Sequence, residues 1–249
     1  MSKIKTPDFQ IPADTLSAQA TQLADPNFIN PSIATDTPVN QIANQGLARD
    51  KNIAIKATPV ESQKNQTAVF GKSELLNANQ ILSQILGLKT GQRVADLGAG
   101  GGLFTLQAAR LVGNQGEVYA VDIMKTILSD IESKSRMANL YNIKTVWSNI
   151  EILGATKIPE ATLDFVFLVN ILFQSKSVDS MLSEAARLMK NGAKMLVIDW
   201  SDSNTKVGPH NDRRLDPNSI ISQAQAMNLI LEQQFIAGQY HFGLIFIKT

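Results

Sequence analysis

The feature that most constrains the fold is a regular alternation of short apolar runs with helical segments after about residue 90. Runs such as RVADL, EVYAVDI and LDFVFLVN are typical of strands that are buried on both faces. The segments between them, such as LFTLQAARLV and VDSMLSEAARLM, carry apolar residues at helical spacing. Strands that alternate with helices form a parallel sheet covered on both faces. We therefore predict an α/β, doubly wound fold.

The C-terminal segment departs from this alternation. Asp216 and Pro217 predict the N-cap and first turn of a helix. Two β-rich runs follow, LILEQQFIA and YHFGLIFIK, separated only by a turn at Gly238 and Gln239. Strands joined by so short a turn are antiparallel. The full prediction is a Rossmann-like sheet of seven strands, mostly parallel, that ends in an antiparallel hairpin, which is unusual for a nicotinamide-binding sheet.

Residues 1–66 differ in composition from the rest of the chain. They are rich in Ala, Asn, Gln, Thr and Pro, and their only aromatic residues are Phe9 and Phe28, which are too few to build a core. We expect a polar, flexible extension, with docking onto the body as the alternative. Residues 67–249 are expected to form one domain, which opens with helical spacing in SELLNANQILSQILGL.

Charge and composition exclude several classes of function. Lys and Arg total 23 against 22 Asp and Glu, a net charge of +1, so no strong field favours nucleic acid. The absence of cysteine excludes disulfides, thiolate metal sites and a cysteine nucleophile. No spaced cluster of His and carboxylates predicts a metal site. With neither a signal-peptide pattern nor an apolar run of about 20 residues, we expect a cytoplasmic protein without a membrane span.

A glycine-rich loop, VADLGAGGGLFT, follows the first apolar strand and leads into a helix. Glycine permits a tight turn and lets a ligand approach the backbone, and the helix start offers free N–H groups. A dinucleotide fingerprint needs glycine at the first, third and sixth places. The sixth place is Leu103 when counted from Gly98 and Thr105 when counted from Gly100. The spacing therefore argues against NAD.

The run Asp-x-Gly-x-Gly-x-Gly in this loop resembles the first motif of class I S-adenosylmethionine-dependent methyltransferases. The resemblance covers Phe70 to the C-terminus, and YHFGLIF and VIDW are similar to small bacterial methyltransferases of the broad group that contains the quinone-biosynthesis enzymes. It implies S-adenosylmethionine as cofactor and a small-molecule acceptor. Arsenite methylation is disfavoured because those enzymes use cysteines. In the loop it assigns cofactor binding to Asp96, Gly98, Ala99, Gly100 and Gly102.

The resemblance assigns further cofactor contacts to the ends of the next two strands. Asp122 would accept hydrogen bonds from the ribose hydroxyls, and its alternative role is the N-cap of the following helix. Ile123 and Met124 would cover one face of the adenine, unless they belong to the core. Asn149 stands where many members carry the aspartate that contacts the adenine amino group, and the Ile150 backbone N–H would meet a ring nitrogen. A turn asparagine is the alternative for Asn149.

Candidates for the acceptor side lie further along the chain. Asn170 ends the strand LDFVFLVN, at the edge where open α/β sheets bind ligands. In enzymes that methylate amino groups this edge carries Asn or Asp, two prolines and an aromatic residue, and here both prolines are missing. Asn170 is therefore a candidate, with a pocket wall or a helix cap as alternatives. Asp199 and His210 are the candidate proton acceptors, and Arg213 and Arg214 lie in the same polar segment.

Three functions remain open at this point. The first is a small-molecule methyltransferase. The second is an RNA or protein methyltransferase that modifies an amino group near Asn170. The third is a protein that binds S-adenosylmethionine without catalysis. A dedicated base is optional, because methyl transfer from a sulfonium depends mainly on alignment and desolvation of the two reactants.

Overall fold

The structure is a computed structural model that describes the backbone of residues 68–70 and the residues 76–201 and 207–249. The predicted extension, residues 1–66, lies outside the described residues. No helix in the described ranges is long and apolar enough to cross a membrane.

The described residues form eight strands and five α-helices. The strands are β1 (Ala68–Phe70), β2 (Arg93–Leu97), β3 (Glu117–Asp122), β4 (Ile143–Trp147), β5 (Leu163–Val169), β6 (Met189–Trp200), β7 (Leu229–Ala237) and β8 (His241–Lys248). The helices are α1 (Ala78–Gln80), α2 (Leu103–Val112), α3 (Lys125–Met137), α4 (Val178–Leu188) and α5 (Pro217–Gln225). A π-helical turn, Ile81–Ile85, continues α1, and 3-10 turns occupy Leu172–Gln174 and Asn211–Arg213.

All eight strands join one sheet in the order β1-β7-β8-β6-β5-β2-β3-β4. Strand β8 runs antiparallel to β6 and β7, and the other pairs are parallel. The predicted fold class is thus confirmed, including the C-terminal hairpin. Strand β1 is additional to the seven predicted strands and pairs with β7 through Ala68 opposite Phe235.

Two apolar layers cover the sheet, one on each face. On one face, Leu82 of the π-helical turn and residues of α2 such as Phe104 pack in one cluster with Leu196 and Ile198 of β6. On the other face, residues of α4 and α5 such as Leu182 and Ile220 form the second core cluster. Because side chains alternate along a strand, strands with apolar residues at consecutive positions supply both layers.

Two details differ from the regular pattern that the sequence predicts. The helix of the SELLNANQILSQILGL segment starts, within the described residues, at a cap where Asn77 Oδ1 accepts from the Gln80 amide at 3.0 Å. It then widens into the π-helical turn. In β6, the pairing with β5 jumps from Met189 to Lys194 while β5 advances by two residues, so the residues around Asn191 and Gly192 form a bulge inside the strand.

The strand order reverses at β2, because the chain moves from β2 outward to β3 and β4 and then returns to β5 on the other side. In open α/β sheets the connections diverge at such a point and leave a crevice outside the carboxyl ends of the strands. The glycine-rich loop, the end of β3 and the end of β5 all lie at this edge. The fold therefore brings the glycine-rich loop, Asp122 and Asn170 to one edge of the sheet.

Candidate functional site

A cleft of about 400 Å³ opens at the reversal point of the sheet. This volume lies in the range of about 300 to 1,000 Å³ that is usual for small-molecule sites. Its walls are the loop after β2, the segment after β3 and the segment after β5, represented by Gly98, Gly100, Asp122, Met124, Asn170 and Ile171. Among the described residues, no group of three His, Asp or Glu side chains could hold a metal ion.

The glycine-rich loop forms the floor of the cleft and depends on glycine for two reasons. Gly98, Gly100 and Gly102 all have positive φ, at +82°, +48° and +80°. A Cβ at Gly98 would also lie only 2.7 Å from Cγ1 of Ile171. The amides of Gly98 and Ala99 donate to the carbonyl of Val121, at 2.8 and 2.9 Å. These two N–H groups therefore tie the loop to β3 and are not directed at a ligand.

Asp96 lies at the base of the loop and is 2% exposed. Its Oδ2 accepts a hydrogen bond of 2.6 Å from Thr105 Oγ1, which joins the end of β2 to the first turn of α2. Burial raises the pKa of Asp96 to about 6, against the hydrogen bond from Thr105, and the charge of Asp122 adds to the rise. Asp96 lines the cleft, as the predicted cofactor role requires, and also holds the loop to α2.

Asp122 faces the loop from the end of β3. Its Oδ2 accepts from the Gly100 amide at 3.1 Å, and its Oδ1 accepts from the Met124 amide at 2.9 Å. The N-cap of α3 is Met124, which makes no side-chain cap hydrogen bond, so the alternative role of Asp122 as the N-cap is wrong. The bond to the Met124 amide instead closes a local turn before the helix. Each carboxylate oxygen retains a further acceptor position, so these bonds leave capacity for a ligand hydroxyl.

Ile123 and Met124 form an apolar rim beside Asp122. They are 62% and 56% exposed, and both line the cleft. Their side chains therefore lie outside the core and offer the flat apolar surface predicted for the adenine. The Trp147 Nε1–H donates to the carbonyl of Ile123 at 2.8 Å, which anchors this rim to β4.

Asn149 and Ile150 lie outside the cleft as the described residues define it. Asn149 Oδ1 accepts from the Glu151 amide at 2.9 Å, which is the local turn given as its alternative role. The side chain of Ile150 is buried in the core layer that includes α4. The structure thus places both residues near the site without bringing their side chains into it.

Asn170 projects from the carboxyl end of β5 and lines the cleft. Its backbone has φ of +53°, and its N–H donates to the Ile198 carbonyl at 2.8 Å. Its Oδ1 is buried and has no hydrogen-bond partner in the described part of the chain. A buried acceptor without a partner is costly, so this atom is suited to a donor on a bound molecule.

The two predicted proton acceptors lie apart from the cleft. Asp199 is fully buried, and it accepts from the backbone amides of Phe173 at 3.2 Å and Trp200 at 2.8 Å. Burial raises the pKa of Asp199 to about 6, against these amide hydrogen bonds. His210 is in solvent, with 85% of its side chain exposed and Nδ1 2.8 Å from Asp212 Oδ1. The geometry thus makes Asp199 a support for the segment after β5.

The predicted arginines also have structural contacts. The guanidinium of Arg213 lies 6.0 Å from the centre of the Phe173 ring. Arg214 donates to the backbone carbonyls of Ser201, Val207 and Pro209 and so holds the chain that follows β6.

Sequence reasoning missed the role of Ile171 and Gln174 in the cleft. Ile171 packs against Gly98, and Gln174 Nε2 donates to the Asn170 carbonyl at 3.1 Å. Both follow a parallel strand at its carboxyl end, which was the available signal. Ile171 and Gly98 are in contact because β5 lies beside β2 in the sheet. Local sequence patterns do not encode this strand order.

Comparison with known proteins finds similarity to methyltransferases. The sequence model of the methyltransferase-domain family matches residues 88–237. The ubiquinone/menaquinone biosynthesis C-methyltransferase UbiE of Vibrio campbellii is 30% identical over 145 residues, which is 58% of this chain and 51% of that protein. UbiE of Edwardsiella ictaluri is 34% identical over 116 residues, 46% of this chain and 45% of that protein. The chain thus spans about half the length of these curated relatives.

Solved structures share the fold. A SAM-dependent methyltransferase from Aquifex aeolicus superposes with a TM-score of 0.65 at 24% identity, covering 71% of this chain and 92% of that one. The [4+2]-cyclase SpnF superposes with a TM-score of 0.58 at 13% identity, covering 68% of this chain and 79% of that one. The fold is therefore found in proteins whose names describe different reactions.

Proposed function

We propose that this chain, which belongs to the methyltransferase-domain family, transfers a methyl group from S-adenosylmethionine to a small neutral molecule. The observation that carries the proposal is the cleft at the reversal point of the sheet, with its glycine floor, the Asp122 carboxylate and an apolar rim. The family matched over residues 88–237 supports the reaction class.

The described residues fit this cofactor. Gly100 leaves room beside the backbone for a ligand, since the nearest atom to a Cβ there would be the Gly98 carbonyl oxygen at 3.9 Å. The corresponding space at Gly98 is filled by the Ile171 side chain. Asp122 would accept the ribose hydroxyls through its remaining acceptor positions. Ile123 and Met124 would cover the adenine on its apolar face. The free N–H groups at the start of α2 suit the carboxylate of the methionine part.

When bound, the cofactor supplies an activated methyl group on a positively charged sulfur. The protein then contributes alignment of the two reactants and exclusion of water. We expect the acceptor to meet the methyl group near Asn170, whose Oδ1 has no hydrogen-bond partner among the described residues and would accept a hydrogen bond from an amino or hydroxyl hydrogen. Asp199 positions this segment by holding the Phe173 amide.

A small molecule is favoured as acceptor over RNA or protein. The net charge of +1 provides little general attraction for a polyanion. The relatives named as ubiquinone/menaquinone biosynthesis C-methyltransferases act, by that name, in making small molecules. Because the [4+2]-cyclase shares the fold, a protein that does not transfer methyl groups is the second candidate.

Incubation with S-adenosylmethionine carrying a labelled methyl group tests these options. The purified chain is mixed separately with the small-molecule, RNA and protein fractions of a cell extract, and label transfer is measured in each. We expect label in the small-molecule fraction. Label found only in the RNA fraction or the protein fraction would mean that the acceptor is RNA or protein and not a small molecule. No transfer to any fraction, together with saturable cofactor binding, would favour the second candidate.

A further inference from the structure

The half-buried Trp200 and the buried His241 form an aromatic pair beyond the cofactor cleft. They are the last residue of β6 and the first residue of β8, and the sheet register places them directly opposite each other. Their ring centres are 4.3 Å apart, with an angle of 39° between the ring planes. His241 is only 6% exposed.

The pair carries three polar atoms that the protein leaves without hydrogen bonds. Trp200 Nε1, His241 Nδ1 and His241 Nε2 are all buried and have no partner within the described ranges. Leaving a buried donor or acceptor unpaired usually costs about 1 to 3 kcal/mol, so such atoms commonly meet water or a ligand. Three of them on two neighbouring rings indicate a place for a polar group.

The pair lies on the same edge and the same face of the sheet as the cleft. Val169, which lines the cleft, is paired with Ile198 of β6. Trp200 follows Ile198 by two residues and so projects from the same face. Two strand spacings, about 10 Å, separate β5 from β8 at this edge. An acceptor that meets the methyl group near Asn170 would therefore extend toward the pair.

The pair offers hydrogen bonds without a net charge. Burial, together with the smaller effect of the Arg214 charge, lowers the pKa of His241 to about 4. The imidazole is then neutral near pH 7, with one nitrogen that donates and one that accepts, while the Trp200 indole only donates. A hydroxyl group both donates and accepts, so it complements this set, whereas a carboxylate has no hydrogen for the accepting nitrogen.

The surroundings hold Trp200 in place. A Cβ at Gly208 would lie 2.4 Å from the Trp200 ring, so Gly208 packs closely on that ring. Arg214 fixes Gly208 by donating to the carbonyls of its two neighbours, Val207 and Pro209. The Trp200 indole N–H is therefore preorganised, which favours selective binding.

We propose that Trp200 and His241 bind a neutral hydroxyl group of the methyl acceptor, with His241 accepting its hydrogen and the Trp200 indole N–H donating to its oxygen. This inference rests on the proposed function, because it assigns the far end of the acceptor bound to that site. It identifies His241, rather than the exposed His210, as the histidine that contacts the acceptor.

Calorimetric titration of the chain saturated with S-adenosylhomocysteine tests the proposal. The probes are 1-naphthol, naphthalene and 1-naphthoate. They share an aromatic body suited to the apolar side chains that line the cleft, such as Val169 and Ile171, and they differ in the polar group. We expect the wild type to bind 1-naphthol about tenfold more tightly than either other probe. His241→Phe should remove that preference, Trp200→Phe should reduce it, and His210→Phe should leave it unchanged.

A second readout guards against misfolded variants. The chain has two histidines, so ¹⁵N spectra of histidine-labelled wild type are assigned by comparison with His210→Phe. The ring nitrogens of His241 should shift on adding 1-naphthol and not on adding naphthalene. Equal binding of the three probes by the wild type, unshifted His241 nitrogens, or a folded His241→Phe that keeps the preference would overturn the inference. Failure of wild type to bind S-adenosylhomocysteine would instead overturn the proposed function.

Discussion

At the scale of single residues, the geometry of the cleft restricts which residue can occupy position 98. Its φ of +82° is strained for any residue with a Cβ, and the Ile171 side chain fills the space that a Cβ would need. Gly87 has a similar φ of +73° but no atom within 4 Å of a Cβ position. Alanine substitutions at the two positions therefore separate the cost of backbone strain, present at both, from the cost of the contact with Ile171, present only at Gly98.

Gly98→Ala is expected to lower the free energy of unfolding by about 2 to 4 kcal/mol, from strain and overpacking together. It should also weaken S-adenosylhomocysteine binding at least about tenfold, because Ile171 or the loop must move. Gly87→Ala should cost only about 1 to 2 kcal/mol and leave affinity intact. Chemical denaturation and calorimetry measure both quantities, and equal behaviour of the two variants would contradict the role of the Ile171 contact.

Asp122→Ala is expected to weaken S-adenosylhomocysteine binding roughly 10- to 100-fold, since the ribose hydroxyls lose a charged acceptor and the Gly100 amide loses its partner. Asp130→Ala is the matched control. Asp130 pairs with Lys134 on the exposed side of α3, and its removal changes the net charge equally. Calorimetry should find the control unaltered, and an unaltered affinity in folded Asp122→Ala would remove the ribose assignment.

Sequence patterns predicted the residues whose role is local. Gly98, Gly100 and Asp122 follow from a loop between a strand and a helix, and they line the cleft, whereas Gly102 is the N-cap of α2 and does not. The buried state of Asp199 and the pairing of His241 with Trp200 depend on which strands become neighbours. For this reason sequence patterns do not show which of the two histidines lies near the cleft, and they favoured the exposed His210 as a site residue.

At the scale of elements, α4 is tied to the segment before β5 by a buried carboxylate. Glu184 is fully buried and accepts from Arg187 at 2.8 Å, from Thr156 Oγ1 at 2.6 Å and from the Gly154 amide at 2.7 Å. Burial alone would raise the pKa of Glu184, but these hydrogen bonds outweigh it and lower the pKa to about 2. The carboxylate therefore stabilises the folded state in its ionised form.

Glu184→Gln is expected to lower the free energy of unfolding by about 3 kcal/mol at neutral pH. The contribution is complete above the unfolded pKa of 4.5 and is lost as the pH falls toward 2. The difference between wild type and variant should therefore shrink over that interval in denaturation experiments. Glu232→Gln, which breaks the partly exposed pair with Lys194, should cost under about 1 kcal/mol. A pH-independent effect of Glu184→Gln would contradict the assignment.

Periodicity was sufficient for the elements that carry the core. Helix α2 has the bounds of the predicted segment LFTLQAARLV, and α5 begins at the predicted Asp216 cap, whose side chain accepts from the Asn218 amide. The bulge at Gly192 and the π-helical turn after α1 were not predicted. Both are adjustments to neighbouring elements, and a local pattern does not contain them.

For the whole molecule, the strand order decides where the ligand binds. The reversal at β2 brings three loops that are far apart in sequence to one edge of the sheet. Alternating elements predicted a doubly wound sheet, and the short final turn predicted the hairpin. The additional strand β1 lacked a signal of its own, because three residues are too few for a periodic pattern.

The measurement that tests the proposed cofactor most directly is calorimetric titration of the purified chain with S-adenosylmethionine, S-adenosylhomocysteine and NAD. The glycine spacing, the Asp122 carboxylate and the apolar rim predict saturable binding of the first two and none of NAD. Binding of NAD alone would contradict the cofactor assignment and the proposed methyl transfer together.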